Sequence, residues 1–233
     1  MENSLFDYMN KRIAGESNVA AKAADEGPVI TISRLTGCGA SRIAWAVCEE
    51  INKRRITAGN KNNWHFISRE ILLQTAEQLN LDPQALEHIM SDKNRGMMDQ
   101  IVAALSTHTF KSDQKILNTI QDVIRQFGNK GHVVIVGRGG ALLCNSIKKS
   151  LHIRLQAPFE WRVSEIATRL DFSKAYAAEY VKKTDTEREH LISKLAGSKG
   201  VNQVFDVELN RARFTEAELV NTIADIAAIK GLY

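Results

Sequence analysis

No apolar run in the 233-residue sequence approaches the roughly 20 residues needed to cross a bilayer, which argues against a membrane protein. The first 27 residues carry acids and lack a continuous apolar stretch, so they do not read as a secretory signal. Cysteine is scarce: Cys38, Cys48 and Cys144 are odd in number, widely spaced and without a CxxC pair. That usage fits reduced thiols and a cytoplasmic protein. The six histidines stand apart, none at ligand spacing from another His or Cys, so no zinc site is expected. A long basic block is missing, as is any DNA- or RNA-binding signature. The net charge of +4 therefore points to an anionic small molecule, or simply to a solvated surface, rather than to a nucleic acid polymer. Internal repeats and low-complexity segments are also lacking.

What is present is an ordinary globular composition, 44% hydrophobic and 25% charged, at a length that suits one domain with a helical insertion. Apolar strand patterns begin near residues 29, 64, 132, 151 and 204, and helical periodicity fills the intervals. The run from Ala40 to Lys53 repeats Ile43, Ala44, Val47, Cys48 and Ile51 at helical spacing. Ser68 stands as an N-cap before "REILLQTAEQLNL", and Asp82-Pro83 opens another helix. "HVVIVG" ends a run of four apolar residues in glycine, as a strand buried on both faces would. Pro158 begins a further helix, a long charged helix runs from Ser173 to about Leu195, and Thr215 caps a closing amphipathic helix. Strands alternating with helices predict an α/β fold around a parallel sheet. Trp64 and Trp161 read as core residues rather than as stacking platforms.

The chemistry concentrates first in "TISRLTGCGASRIA", residues 31–44, a strand running through a glycine-rich turn into a helix. A Walker A loop, GxxxxGK[ST], cradles phosphates on backbone N–H groups, reaches the β and γ oxygens with its lysine and offers its hydroxyl to Mg²⁺. In that register the second glycine is Gly39 and the hydroxyl is Ser41, but Arg34 replaces the first glycine and Ala40 replaces the lysine. Gly37 and Gly39 provide bare backbone for close approach to phosphate. Cys38 and Ala40 complete the cradle. Ser41 either ligates Mg²⁺ or satisfies the helix N-terminus, and Arg42 either supplies the lost charge or is a solvated helix arginine.

Taken together and in order, "ITISRLTGCGASRIA", "FISREILLQTAEQLNL", "VIVGRGGALL", "LHIRLQAPFEWRV" and "DTEREHL" resemble the cytidylate kinase-like family over about residues 28–231. Members of that family commonly lack the lysine and have a small residue there followed by arginine, so the resemblance makes Ala40-Ser41-Arg42 a family trait. The resemblance implies a P-loop kinase-like three-layer fold with a five-stranded parallel sheet. It implies a helical region for binding the nucleoside monophosphate at 82–128 and a short lid within 173–200, with residues 1–27 as an N-terminal extension. The implied reaction is transfer of the ATP γ-phosphoryl group to a nucleoside monophosphate, CMP or dCMP by resemblance, with ATP and Mg²⁺ as cofactors.

The same resemblance assigns residues. Arg69, after the second strand, corresponds to a contact for the acceptor phosphate, although Ser68 replaces the family's usual aspartate. Arg138 corresponds to the arginine of a D-G-R-D stretch that binds the monophosphate, and here Val136 and Gly139 replace both acids. Arg162 resembles the arginine that opens the helix before the lid. Asp185 and Arg188 match the lid's D-x-x-R pattern, and Lys194 stands where the family often has paired arginines. Arg42, Arg138, Arg188 and Lys194 are the candidate catalytic cations, since phosphoryl transfer asks protein chiefly for alignment and charge. The missing lysine and acids leave two other readings open: an inactive nucleotide-binding protein, and a kinase for a non-nucleotide acceptor. Leu5, Phe6, Tyr8 and Met9 in the extension offer a surface for packing of a second copy.

Overall fold

A computed structural model of the chain describes residues 27–58, 63–67, 113–196 and 204–233. The N-terminal extension, the caps at Ser68 and Asp82, Arg69, and the 82–112 part of the helical region lie outside the described residues.

Five strands form one parallel sheet: β1 (Val29–Arg34), β2 (His65–Ile67), β3 (Val133–Val136), β4 (Ser150–Gln156) and β5 (Val207–Asn210). Their order is β2-β3-β1-β4-β5. The apolar runs of β1 and β3 suit this placement, because an inner strand of a parallel sheet is buried on both faces. Between the strands lie α1 (Ala40–Thr57), α2 (Asp113–Lys130), the single turn α3 (Gly140–Leu143), α4 (Phe159–Leu170) and α5 (Lys174–Ala196), with α6 (Glu216–Ile229) at the end.

The alternation along each strand sorts the sheet's two faces. Ile30, Ile32, Val134, Val136, Ile153 and Leu155 pack with Ile43, Val47 and Ile51 of α1 and with Leu219, Ile223 and Ala227 of α6. Ile135 and Thr31 face the other way, against the start of α3 at Gly140. α4 and α5 form a hairpin around Val163, Ile166, Ala177 and Val181, turned by Asp171 in the left-handed conformation. The start of α6 is as expected: Thr215 and Glu218 form a capping box, each side chain bonding the other's backbone N–H. Trp64 is buried at 2% exposure, and the side chain of Asn52 holds its N–H and C=O at 2.7 and 2.9 Å. Trp161 is half-buried, with the Arg211 guanidinium over its ring.

The sheet order places functional residues. The chain leaves β1 toward the β2 edge, returns through β3 and then crosses to β4 on β1's other side. Connections diverge at the carboxyl end of β1, the crevice where open α/β sheets receive ligands.

Candidate active site

The turn that leaves β1 is built for backbone access. Leu35 N–H donates to Leu155 O, and Cys38 N–H closes a turn onto Leu35 O. Gly37 has φ 94° and lies so close to Arg162 that a Cβ there would be 2.9 Å from Arg162 O. Gly39 is the N-cap of α1 in the left-handed conformation, and a Cβ on it would meet nothing within 4 Å. Among the described residues no side chain caps this end of α1, and its first turn contains no acid. The start of this 18-residue helix thus offers the N–H groups that precede Arg42 and the positive end of its dipole. Such an end favours an anion. Ser41 is exposed on the first turn, whereas Ala40 is 3% exposed and belongs to the core beneath the loop. The lysine register of this loop is therefore a core position.

Two elements far away in sequence brace the turn. Arg162 of α4 is buried, and its Nε donates to Ala157 O at 3.0 Å. Its Nη1 donates to Thr36 O at 3.1 Å and pairs with Asp185 Oδ2 of α5 at 2.5 Å. Asp185 Oδ1 accepts the Thr36 N–H at 2.8 Å, and Arg188 Nη1 donates to the Thr36 hydroxyl at 2.7 Å. Every polar group of Thr36 is held, so the loop's shape depends on the α4–α5 hairpin.

The third component lies at the end of β3. Gly137, Arg138 and Gly139 have φ of 68°, 54° and 72°, three left-handed residues in a row. Arginine is sterically disfavoured there, and such strain collects at functional positions. Gly137 has a further reason to be glycine. The Arg34 guanidinium lies across it, with Nη1 only 1.6 Å from where a Cβ would be. Burial of that guanidinium, with repulsion from Arg188 and Arg138, pushes the Arg34 pKa down to about 9. Burial also lowers the pKa of Arg188, partly offset by Asp185. The Cys38 thiol is pushed up to about 11 by burial, so it stays protonated at neutral pH.

Of the expected site residues, Gly37, Cys38, Gly39, Ala40 and Ser41 follow one another through the loop into α1, Arg188 bonds Thr36 of the loop, and Arg138 lies after β3 within electrostatic reach of Arg34. Arg162 is committed to the brace. Arg42 turns to the surface, where its Nε meets Glu216 Oε2 of α6 at 2.5 Å. Lys194 lies in α5, six residues after Arg188. Arg69 is outside the described residues. Among the described residues, no group of three His, Cys, Asp or Glu side chains could hold a metal ion. Sequence reasoning passed over Arg34 and Thr36. Arg34 was noticed only as a failed glycine, although a charged residue ending a buried strand was the available signal. Thr36 gave none.

The cytidylate kinase-like family model matches residues 29–210, most of the chain. A cytidylate kinase of Methanocaldococcus jannaschii is 29% identical over 151 residues, 64% of this chain and 68% of that protein. A uronate isomerase of Corynebacterium glutamicum is also 29% identical, over 133 residues and 57% of this chain, but the chain spans only 25% of that protein's length. A crystal structure of an uncharacterised protein from Eubacterium ventriosum shares the fold at TM-score 0.57 and 18% identity, covering 88% of this chain and 98% of that one. With the matched segment running from β1 through β5 and including the loop, Arg138 and Arg188, the chain belongs to the cytidylate kinase-like family.

Proposed function

We propose that this protein transfers the γ-phosphoryl group of ATP to a nucleoside monophosphate, with CMP or dCMP as the acceptor. The observation that carries the reading is a glycine-rich turn opening α1 beside a group of arginines: Arg188 bonds Thr36 of the loop, and Arg34, at the end of β1, lies within electrostatic reach of Arg138 and Arg188. The Arg34 guanidinium is repelled by its two neighbours, and two phosphate chains meeting end to end would supply the opposite charge. In the reaction the bond between the γ-phosphorus and the β–γ bridging oxygen breaks, and a bond from an acceptor phosphate oxygen to that phosphorus forms. ADP and a nucleoside diphosphate leave. The attacking oxygen belongs to a phosphate whose second pKa is ~6, so it is mostly deprotonated at neutral pH and needs no general base. Loss of acids at Val136 and Gly139 therefore removes no obligatory proton acceptor.

The loop amides and the dipole of α1 would bind the donor phosphates. Arg138 and Arg188 would orient the acceptor phosphate, with the brace through Asp185 fixing Arg188 relative to the loop. Mg²⁺ keeps most of its water and phosphate ligands in such sites, and the Ser41 hydroxyl fits as its protein ligand. When bound it would neutralise charge on the phosphates.

The test is turnover of CMP, dCMP, UMP and AMP by the full chain with ATP and Mg²⁺, beside calorimetric titration with the same nucleotides. Phosphorylation of a cytidine monophosphate is expected. Arg138→Ala should abolish it while sparing triphosphate binding. Triphosphate binding without turnover of any acceptor would favour an inactive nucleotide-binding protein instead. The buried Ala40 and Val136, where active relatives of this fold class would be expected to have charge, are the observations on that side.

A further inference from the structure

We infer that Arg34 supplies the positive charge that the loop lacks at position 40, gripping the donor phosphates from the end of β1 instead of from the start of α1. The inference rests on the kinase reading above and assigns to it a residue that the Walker pattern would place elsewhere. Arg34 ends β1 at the strand order's point of divergence, in the register of the loop's first glycine. Its guanidinium lies on Gly137 at the end of β3, beside Arg138 and within electrostatic reach of Arg188 and Cys38. Arg188 itself bonds Thr36 of the loop. The charge is therefore fixed between the loop and the strand end, where the two phosphate chains would meet.

Its surroundings distinguish it from five other arginines. Arg42, Arg54, Arg154, Arg162 and Arg188 each pair with a carboxylate. Among the described residues none pairs with Arg34; the groups that act on its charge are two more guanidiniums and a thiol. A guanidinium remains protonated in proteins, and the depression toward about 9 comes from its burial and from the like charges of Arg188 and Arg138. An anion would reverse that balance. Arginine also suits the task, because its planar fork grips phosphate oxygens in pairs. The glycine at 137 gives the fork its room.

The measurement is calorimetry and thermal melting of the full chain with inorganic tripolyphosphate and Mg²⁺, a probe with the charge of the donor and no base. Wild type should bind it, and Arg34→Met should weaken binding by roughly 10–100-fold, the equivalent of a charge-assisted hydrogen bond or two. Arg34→Lys should recover part of that loss. Gly137→Ala keeps Arg34 but pushes its guanidinium aside, and should weaken binding too. Without ligand, Arg34→Met should melt no lower than wild type, since it removes a repelled charge. Wild-type affinity in the Met variant, no tripolyphosphate binding by wild type, or lost binding together with a lowered unliganded melting temperature would each overturn the inference. Arg34-dependent tripolyphosphate binding with no phosphorylation of any monophosphate would defeat the kinase reading and leave this one standing. Normal CMP turnover by the Met variant would do the reverse.

Discussion

Ala40 shows how one residue separates the appearance of a motif from its geometry. By pattern it is the place of a lost lysine, and restoring the lysine looks like a gain. In the fold its methyl is 3% exposed and shares the core with Cys38 and Ile43. A lysine there would have to force its stem through packed side chains or rearrange the loop, at roughly 1–3 kcal/mol for overpacking alone. Burying the ammonium would add to that cost. Ala40→Lys should therefore lower the melting temperature and leave turnover unimproved or reduced. Melting curves and initial rates on the purified variant decide it. A variant at least as stable as wild type, with faster turnover, would show that position 40 opens onto the phosphates after all.

At the scale of elements, the site is two pieces of different origin held in register. The loop between β1 and α1 is local in sequence, but what fixes its shape is the α4–α5 hairpin. Asp185 reaches Thr36 across 149 residues and Arg162 reaches it across 126. The Arg162–Asp185 pair is largely excluded from water, with side-chain exposures of 8% and 15%. Removing one member of such a pair strands the other, at a cost of about 3–5 kcal/mol. Asp185→Leu should show that loss in urea denaturation. Arg162→Met with Asp185→Leu should be less destabilised than the sum of the single changes by at least about 1 kcal/mol, because neither charge is then left alone. Strictly additive losses would mean that the two side chains act on the loop independently. A hairpin tied in this way makes position along α5 consequential: a shift of the helix would move Arg188 and loosen Thr36 together.

For the whole molecule, what was legible in the sequence divides along the range of the interactions. The described strands and helices were readable because each is specified by its own periodicity and caps: "HVVIVG" became β3, and Thr215 caps α6. Arg138 was a candidate because a glycine–arginine pair follows that strand directly. Arg34's position over Gly137 and the clasp on Thr36 depend on strand order and on a hairpin more than a hundred residues away, and no local pattern encodes either. His152 is a third case of the same kind. Its ring Nδ1 hydrogen-bonds the Thr31 hydroxyl of β1 at 2.8 Å, and its N–H donates to Asp206, which also pairs with Lys230 after α6. Nε2 is buried and, among the described residues, has no partner. One residue thus ties β1, β4, the approach to β5 and the C-terminal segment. Burial pushes the His152 pKa below its ordinary 6.5, outweighing the attraction of Asp206. The folded state therefore refuses a proton that the unfolded chain accepts. Stability is complete above pH ~6.5 and falls as the pH drops from there toward the lower folded value. Asp206 adds a second loss at greater acidity: the His152 N–H and Lys230 hold its carboxyl below the usual value against its own burial, so that contribution disappears only as the carboxylate protonates. Urea midpoints measured between pH 7.5 and 5 should decline for wild type. They should change less for His152→Asn, whose midpoint at pH 7.5 should already be lower because the tie between β1 and β4 is altered. A wild-type midpoint that holds constant over this range would mean that His152 takes up its proton inside the folded sheet, and that the space around Nε2 admits a partner.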